Sequence, residues 1–282
     1  MMTGKIVMVT GANSGIGRVT ARELARLGAT VVMVCRNPDK GQAVCDDINA
    51  DVGMERVHLL LADFSSHESI RQMTDTFKSR FDKLDVLVNN AGLMVKKRQL
   101  TEDGLEYMMG VNHFGYFLNT HYLLDVLKAG PRARIVNVAS MAHRFTGIDW
   151  DNMNGEKQFN YFRQYGLTKL CNILFTNHLA DYLEGTSITA NSLHPGVVNS
   201  NFGQNAYPSF VNKLGEFFMV SPEKGASTSI YLASSPEVKN FTGTYFVNCK
   251  RRFPSSLASN KEVAAKLWDW SLEKSGIGEF GI

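Results

Sequence analysis

The stretch MVTGANSGIGRVTA, residues 8–21, combines the end of an apolar run, a glycine-containing turn and the start of a helix-forming segment. The apolar run covers residues 6–9 and is partly β-branched, which is typical of a buried strand. The glycines follow the spacing TGxxxGxG, and a strand, a turn and a helix are the context in which such glycines bind nucleotide phosphates. Their backbone N–H groups can then approach a pyrophosphate at the positive end of the helix. A strand–helix turn that simply tolerates glycine has the same pattern. The rest of the sequence is therefore needed to distinguish a nucleotide-binding turn from a purely structural one.

The composition is that of a folded globular protein and excludes several functional classes. The 282 residues are 44% hydrophobic and 20% charged, which allows a sizeable core. The net charge is +3, and the densest basic clusters are Lys96–Arg98 and Lys250–Arg252, so no nucleic-acid partner is indicated. The four cysteines are dispersed without zinc spacing, and the seven histidines form no HExxH motif. We therefore expect no metal site.

No segment has the pattern of a membrane span or a targeting signal. No uninterrupted apolar run approaches the ~20 residues that a spanning helix needs. The first predicted strand begins near Ile6, which leaves no room for a signal peptide or an N-terminal anchor. Dispersed cysteines suit a reducing compartment. The expectation is a cytoplasmic protein with no integral membrane segment.

Segments with strand patterns alternate along the chain with segments that have helix patterns. Predicted strands cover residues 6–9, 30–35, 57–62, 84–88, 133–138, 187–193 and 243–247. Predicted helices cover residues 18–27, 37–49, 67–81, 103–127, 164–183 and 222–233. Apolar strands separated by helices indicate a parallel sheet covered on both faces. The predicted fold is therefore α/β, a single doubly wound, Rossmann-like domain over residues 1–282.

Polar or small residues stand where six consecutive predicted strands end. After the first strand comes the glycine turn, and the later strand ends carry Cys35–Arg36, Asp63, Asn89–Gly92, Ser140 and His194–Gly196. In an open α/β sheet, ligands bind outside the carboxyl ends of the strands. Six strand ends with such residues at one edge of the sheet favour a cofactor-binding cleft over a chance occurrence of polar or small residues.

Tyr165 and Lys169 stand four positions apart in a predicted helix. At that spacing the two side chains lie on one face and can reach a common ligand. A neighbouring cation favours phenolate and lowers the pKa of a tyrosine from its usual ~10. The alternative is that Tyr165 and Lys169 are simply exposed on the helix surface. The upstream glycine turn and Ser140 favour a functional pair over this alternative.

These motifs together resemble the short-chain dehydrogenase/reductase family over nearly the whole chain. The matching stretches are TGANSGIG (Thr10–Gly17), NNAG (Asn89–Gly92), Asn112, Ser140, YGLTK (Tyr165–Lys169) and HPG (His194–Gly196). Within the family, the chain is similar to the retinol dehydrogenase-like branch. That similarity rests on CRNPDKG (35–41), RIVNVAS (134–140), KLCNILFTNHLA (169–180), SLHPGVV (192–198) and AAKLWDWS (264–271).

The resemblance implies hydride transfer between a nicotinamide cofactor and a carbonyl or alcohol carbon. It implies that Tyr165 exchanges the proton, that Lys169 lowers the Tyr165 pKa and contacts the nicotinamide ribose, and that Ser140 orients the substrate oxygen. Asn112 resembles the family residue that holds a water in the proton relay. The cofactor-binding residues implied are Gly11, Asn13, Ser14, Gly15, Ile16, Gly17, Arg36, Lys40, Asp63, Phe64, Asn90, Ala91, Gly92, Tyr165, Lys169, Pro195, Gly196, Val198 and Ser200.

The end of the second predicted strand indicates the choice of cofactor. Enzymes that prefer NAD commonly place an acidic residue there to bind the ribose 2′-hydroxyl, whereas this strand ends in Cys35–Arg36. A guanidinium suits a 2′-phosphate, and Lys40 adds a second cation nearby. The prediction is NADP(H), the alternative being an arginine that only faces water.

The substrate is predicted to be a small apolar aldehyde, ketone or alcohol. The apolar stretch YPSFVNKLGEFFMV, residues 207–220, follows the HPG turn, and we interpret residues 199–221 as a substrate lid. Core packing or a shallow membrane contact are the alternatives for this stretch. A non-catalytic NADP(H)-binding regulator and a sugar-nucleotide epimerase are the alternative functions. Helices 103–127 and 164–183 form dimer faces in many relatives, so the resemblance also implies a homo-oligomer.

Overall fold

The structure, a computed structural model, describes residues 2–197 and 220–281. These residues contain eight strands: β1 Ile6–Thr10, β2 Thr30–Cys35, β3 Val57–Leu61, β4 Val86–Asn89, β5 Arg134–Val138, β6 Thr189–His194, β7 Thr244–Val247 and β8 Lys250–Arg252. They form one sheet in the order β3-β2-β1-β4-β5-β6-β7-β8. Strands β1 to β7 are parallel, and β8 is antiparallel to β7. The predicted parallel α/β sheet is confirmed, while the antiparallel edge strand was not foreseen.

Helices cover both faces of this sheet. Their bounds are α1 Gly15–Arg26, α2 Pro38–Val52, α3 His67–Lys78, α4 Tyr107–Met109, α5 Gly115–Tyr122, α6 Leu124–Ala129, α7 Tyr161–Tyr182, α8 Pro222–Ser234 and α9 Lys261–Ser275. Side chains of α1, α2 and α8 pack on one face, and side chains of α3, α5, α7 and α9 on the other. Strand β1 is accordingly buried on both sides, with Val7, Met8 and Val9 all fully covered. This double burial explains the unbroken apolar runs.

The predicted helix over residues 103–127 differs from the structure in two ways. It begins only at Tyr107, because Gly104 lies in a left-handed turn (φ 76°) and Glu106 caps the following turn by accepting from two backbone N–H groups. It is also not continuous, since it is broken at Leu123, between α5 and α6, and interrupted by the π-helical segment Gly110–Phe114. Such segments are rare and cluster at functional sites. This one carries Asn112.

The strand order reverses direction between β1 and β4. The chain builds outward from β1 to β2 and β3, and then returns to β4 on the other side of β1. At such a reversal, the loops that leave neighbouring strands diverge and open a crevice at their carboxyl ends. The glycine turn after β1 lies at this position. Within residues 2–197 and 220–281, none of the helices is both long and apolar enough to cross a membrane.

Candidate active site

The turn between β1 and α1 forms a cradle that only glycine permits at two positions. Gly11 has φ 66°, and a Cβ atom there would lie 2.9 Å from the Cα of Ala91. A Cβ atom at Gly17 would lie 2.3 Å from the carbonyl oxygen of Gly11. Ser14 precedes α1 without a side-chain capping hydrogen bond. The first N–H groups of α1 are thus left for a ligand, and an anion such as a pyrophosphate fits them.

Thr10 ties the glycine turn to the end of β4. Its buried Oγ1 accepts hydrogen bonds from the backbone N–H groups of Asn90 and Ala91, both at 2.9 Å. In return, Nδ2 of Asn90 donates to the carbonyl oxygen of Thr10 at 2.8 Å. The two strand ends therefore hold each other in place. Sequence reasoning assigned Thr10 no such role.

A cleft of about 380 Å³ opens above these strand ends. Its walls include the glycine turn, the ends of β4, β5 and β6, and the first half of α7. The lining residues are Gly11, Asn13, Ser14, Gly15, Ile16, Gly17, Asn90, Ala91, Gly92, Val138, Ala139, Ser140, Tyr165, Lys169, Pro195 and Gly196. Fourteen of these were predicted site residues, and Val138 and Ala139 were not. Residues far apart in the chain thus meet at one cleft.

Ser140 begins a short 3₁₀ turn, Met141–Phe145, directly after β5. Its Oγ accepts from the Ala142 N–H at 3.2 Å, and its carbonyl oxygen accepts from His143 Nδ1 at 2.6 Å. His143 Nε2 in turn accepts from the Ser255 N–H, which identifies Nδ1 as the protonated nitrogen. From β6, His194 Nδ1 accepts from the Met141 N–H at 3.2 Å. Two neutral imidazoles therefore hold the turn that carries Ser140.

Tyr165 and Lys169 lie on the face of α7 that lines the cleft. Asn160 caps this helix by accepting from the N–H groups of Phe162 and Arg163. Lys169 is 3% exposed, and its Nζ lies 5.7 Å from the centre of the Tyr165 ring. Burial lowers the pKa of Lys169 to about 7. The lysine is thus close to its charge transition at neutral pH and sits beside the phenol, as the helical spacing predicted.

Asn112 lies next to this pair but is held by the backbone. Its Oδ1 accepts from the Leu93 N–H at 2.8 Å, and its Nδ2 donates to the Leu93 carbonyl oxygen at 2.9 Å. A Cβ atom at Gly92 would lie 3.3 Å from Asn112 Oδ1 and 3.5 Å from Lys169 Nζ. The side chain therefore fixes the loop after β4 beside Lys169. Its part in a proton relay stays a prediction.

Arg36 lies at the end of β2 outside the residues that line the cleft. Its Nη1 donates to the Tyr107 hydroxyl at 3.1 Å and lies 3.6 Å from Asp63 Oδ2. The Tyr107 hydrogen bond, with a smaller effect of Asp63, raises the pKa of Arg36. The guanidinium is still 64% exposed. Arg36 is thus a permanent cation held at the edge of the sheet and open to a ligand.

Of the remaining predicted cofactor-binding residues, Lys40 and Phe64 do not line the cleft. The Lys40 side chain is exposed beyond Arg36. The Phe64 ring is buried in the core against Gly115. Val198 and Ser200 lie outside the described residues, as does most of the predicted lid. At its far end, Ser221 caps α8 by accepting from the Lys224 N–H.

A doubly wound sheet with a glycine cradle at its reversal point and a tyrosine–lysine pair beside a serine defines a dinucleotide-dependent oxidoreductase. The chain belongs to the short-chain dehydrogenase family, whose family model, described as "short chain dehydrogenase", matches residues 5–209. Retinol dehydrogenase 12 of Mus musculus is 42% identical over 275 residues, covering 97% of this chain and 87% of the relative. The predicted retinol dehydrogenase-like branch is confirmed.

Two solved structures have the same architecture. An uncharacterised protein of Mycobacterium paratuberculosis superposes with a TM-score of 0.80 at 31% identity, covering 98% of this chain and 94% of the other. RhlG of Pseudomonas aeruginosa, solved as a complex with NADP in its active site, superposes with a TM-score of 0.72 at 25% identity. That match covers 87% of this chain and 94% of RhlG.

Proposed function

We propose that this protein is an NADP(H)-dependent oxidoreductase that interconverts an apolar aldehyde or ketone and its alcohol. The observation that carries the proposal is that Ser140, Tyr165 and Lys169 line the same cleft as the glycine cradle. Two comparisons support it. The relative named retinol dehydrogenase acts, by its name, on an apolar alcohol. The structural neighbour RhlG binds NADP in its active site.

Ser140 has the hydrogen-bonding capacity to orient the substrate oxygen. Its Oγ accepts from the Ala142 N–H, and that bond does not use its own proton. A hydroxyl group carries one donor and two acceptor positions. In the proposed mechanism, the Ser140 O–H therefore donates to the substrate oxygen. The 3₁₀ turn and its two neutral histidines keep this hydroxyl at the cleft wall.

Tyr165 would donate the proton to the substrate oxygen during reduction and accept it during oxidation. Lys169 supports both directions, because an adjacent ammonium stabilises the phenolate that remains after proton donation. A bound nicotinamide dinucleotide supplies or accepts the hydride. The glycine cradle would hold its pyrophosphate, and Arg36 would face its adenosine end. The buried position of Lys169 excludes water that would otherwise screen its charge.

Replacing Tyr165 with Phe tests this function. The variant keeps the ring but lacks the proton, so turnover should fall at least ~100-fold, as expected for loss of a general acid. The measurement is steady-state turnover of a panel of apolar aldehydes and alcohols, with NADPH affinity determined by fluorescence titration. Affinity should stay within about threefold, since the phenol is not a phosphate ligand.

Tyr182→Phe is the matched control. This tyrosine lies at the other end of α7, where its hydroxyl donates to the Phe280 carbonyl oxygen at 2.7 Å, far from the cleft residues. Its turnover should match that of the wild type. Near-normal turnover of Tyr165→Phe would reject Tyr165 as the acid. If the wild type binds the cofactor but turns over no compound of the panel, the alternative function, a non-catalytic NADP(H)-binding regulator, would be favoured instead.

A further inference from the structure

The carbonyl oxygen of Val138, the last residue of β5, accepts hydrogen bonds from three side chains. Lys169 Nζ donates to it at 3.1 Å, Asn172 Nδ2 at 3.3 Å and the Tyr116 hydroxyl at 3.5 Å. Tyr116 and Asn172 are fully buried, and Lys169 nearly so. A carbonyl oxygen has two lone pairs, so the two nearer donors, Lys169 and Asn172, can occupy both.

Lys169 has few fixed partners besides the Val138 carbonyl. Among the described residues, no acidic side chain lies within ion-pair distance of its Nζ, and burial is the cause of its lowered pKa. The titratable groups that face Nζ are the Tyr165 ring on α7 and the Tyr116 ring on α5, with Tyr116 at 5.5 Å. Burial raises the pKa of Tyr116 well above its usual value, so this phenol stays neutral. The Val138 carbonyl is therefore the main fixed partner of the ammonium.

Building on the proposed function, we propose that Asn172 is a positioning residue. Its Nδ2 occupies one lone pair of the Val138 carbonyl and so confines Lys169 Nζ to the other, on the side of Tyr165. An ammonium group has three donors. With one of them committed to Val138, the remaining two stay directed at the cleft that Lys169 lines. Without the amide, Nζ can move to the second lone pair, away from the phenol.

The amide of Asn172 contacts His113 as well as the Val138 carbonyl. Its Oδ1 makes no hydrogen bond of normal geometry to any described residue, although the side chain is fully buried. Burial lowers the pKa of His113 to about 3, and a weak side-chain hydrogen bond with Asn172 offsets only part of that shift. A buried acceptor without a partner is unfavourable, and an apolar side chain of similar size would avoid it.

Asn172→Leu separates a positioning role from a structural one. We expect the melting temperature to stay equal or to rise, because the variant removes an unpartnered oxygen from the interior. We expect kcat to fall about tenfold, since small displacements of a catalytic group have large effects on rate. The affinity for NADPH should change less than about twofold, because the phosphate cradle is untouched. If the variant lost activity only because its packing is loosened, its melting temperature would be lower than that of the wild type.

A titration of the ligand-free protein gives a readout that does not depend on turnover. An ammonium beside a phenol favours the phenolate and is favoured by it, so Tyr165 and Lys169 ionise as a pair. In Asn172→Leu, the pH at which Tyr165 ionises should move up by about half a unit or more. The measurement is ¹³C NMR of ring-labelled tyrosine, with the Tyr165 resonance assigned from its absence in Tyr165→Phe.

Asn177→Leu is the matched control, since this asparagine lies on the same helix and donates to the Ala258 carbonyl oxygen at 2.8 Å. It should leave kcat and the Tyr165 titration unchanged. If Asn172→Leu does not fold, Asn172→Ala removes the same donor. Unchanged kcat and unchanged Tyr165 ionisation in the Asn172 variant would overturn the positioning role. That result leaves the proposed function standing as long as Tyr165→Phe abolishes turnover.

Discussion

At the scale of single residues, Arg36 carries the proposed choice of cofactor. Charge-assisted hydrogen bonds to a phosphate contribute roughly 1.5–3 kcal/mol. Arg36 already lies 3.6 Å from the Asp63 carboxylate and is 64% exposed, so its contribution belongs at the low end of that range. A carboxylate this close also repels a 2′-phosphate. We therefore expect about a tenfold preference for NADPH over NADH.

The test is Arg36→Asp. Adding a carboxylate next to Asp63 should repel the 2′-phosphate and reverse the preference, so that kcat/KM with NADH exceeds that with NADPH by about tenfold. The measurement is kcat/KM with both cofactors for wild type and variant. Arg132→Asp, an exposed site just before the amino end of β5, controls for the change in net charge. Equal use of both cofactors by the wild type, or an unchanged ratio in Arg36→Asp, would contradict the role of Arg36.

The sequence predicted well which residues meet in the cleft and poorly which residues support them. Strand order brings Gly11, Asn90 and Ser140 to one edge whatever the details of packing, so local motifs were sufficient. Tyr107 holds Arg36 across 71 positions of sequence, and Asn172 reaches Val138 across 34. Such contacts depend on how particular helices pack against the sheet, and no spacing in the sequence encodes that. Supporting residues such as Tyr107 and Asn172 were therefore identified only from the structure.

At the scale of elements, the ends of β5 and β6 are tied together by a histidine. His194 at the end of β6 is 7% exposed, and burial, with a smaller effect of His143, lowers its pKa to about 4. Its Nδ1 accepts the Met141 N–H, which requires an unprotonated nitrogen. In an unfolded chain a histidine titrates near ~6.5. Between these two values the unfolded chain binds a proton that the folded protein does not, so stability falls as the pH falls through this window.

His194→Asn tests this coupling, because an amide oxygen can accept the same N–H but does not titrate. From pH 7.5 to pH 5, the wild type should lose about 2 kcal/mol more unfolding free energy than the variant, at about 1.4 kcal/mol per unit of pKa difference. Urea unfolding at several pH values measures the difference, and the two proteins should differ little at pH 7.5. Parallel pH dependences would show that His194 does not contribute to the acid sensitivity.

The accuracy of the sequence prediction also varies among the elements. Strands β1, β2 and β5 agree with it to within one residue, because buried parallel strands are continuous apolar runs. The region over residues 103–127 was wrong in its start and its regularity, since a buried capping carboxylate at Glu106 and a π-helical segment leave no periodic signal. Strand β8 consists of Lys250, Arg251 and Arg252, all exposed, and polar edge strands have no apolar pattern to detect.

At the scale of the whole molecule, the last described residues complete the core on one face of the sheet. The Phe280 ring is 2% exposed and packs at 4.5 Å from the Trp268 ring on α9 and 5.0 Å from the Phe117 ring on α5. Its carbonyl oxygen accepts from Tyr182 on α7, and the next N–H, of Gly281, donates to His121 Nδ1 at 2.8 Å. Residues at the end of the described chain therefore join α5, α7 and α9, and α7 carries Tyr165 and Lys169.

Phe280→Ala should consequently destabilise the whole molecule without altering its cofactor preference. Removing a buried phenylalanine leaves a cavity and lowers the unfolding free energy by about 3–5 kcal/mol. Phe253→Ala is the matched control, since that ring is 90% exposed and its loss should change stability by less than about 0.5 kcal/mol. Guanidinium unfolding of both variants measures the difference, and the NADPH/NADH ratio of kcat/KM in the folded fraction should equal that of the wild type. Similar stabilities of the two variants would mean that Phe280 is not part of the core, and the last described residues would then not hold α5, α7 and α9 together.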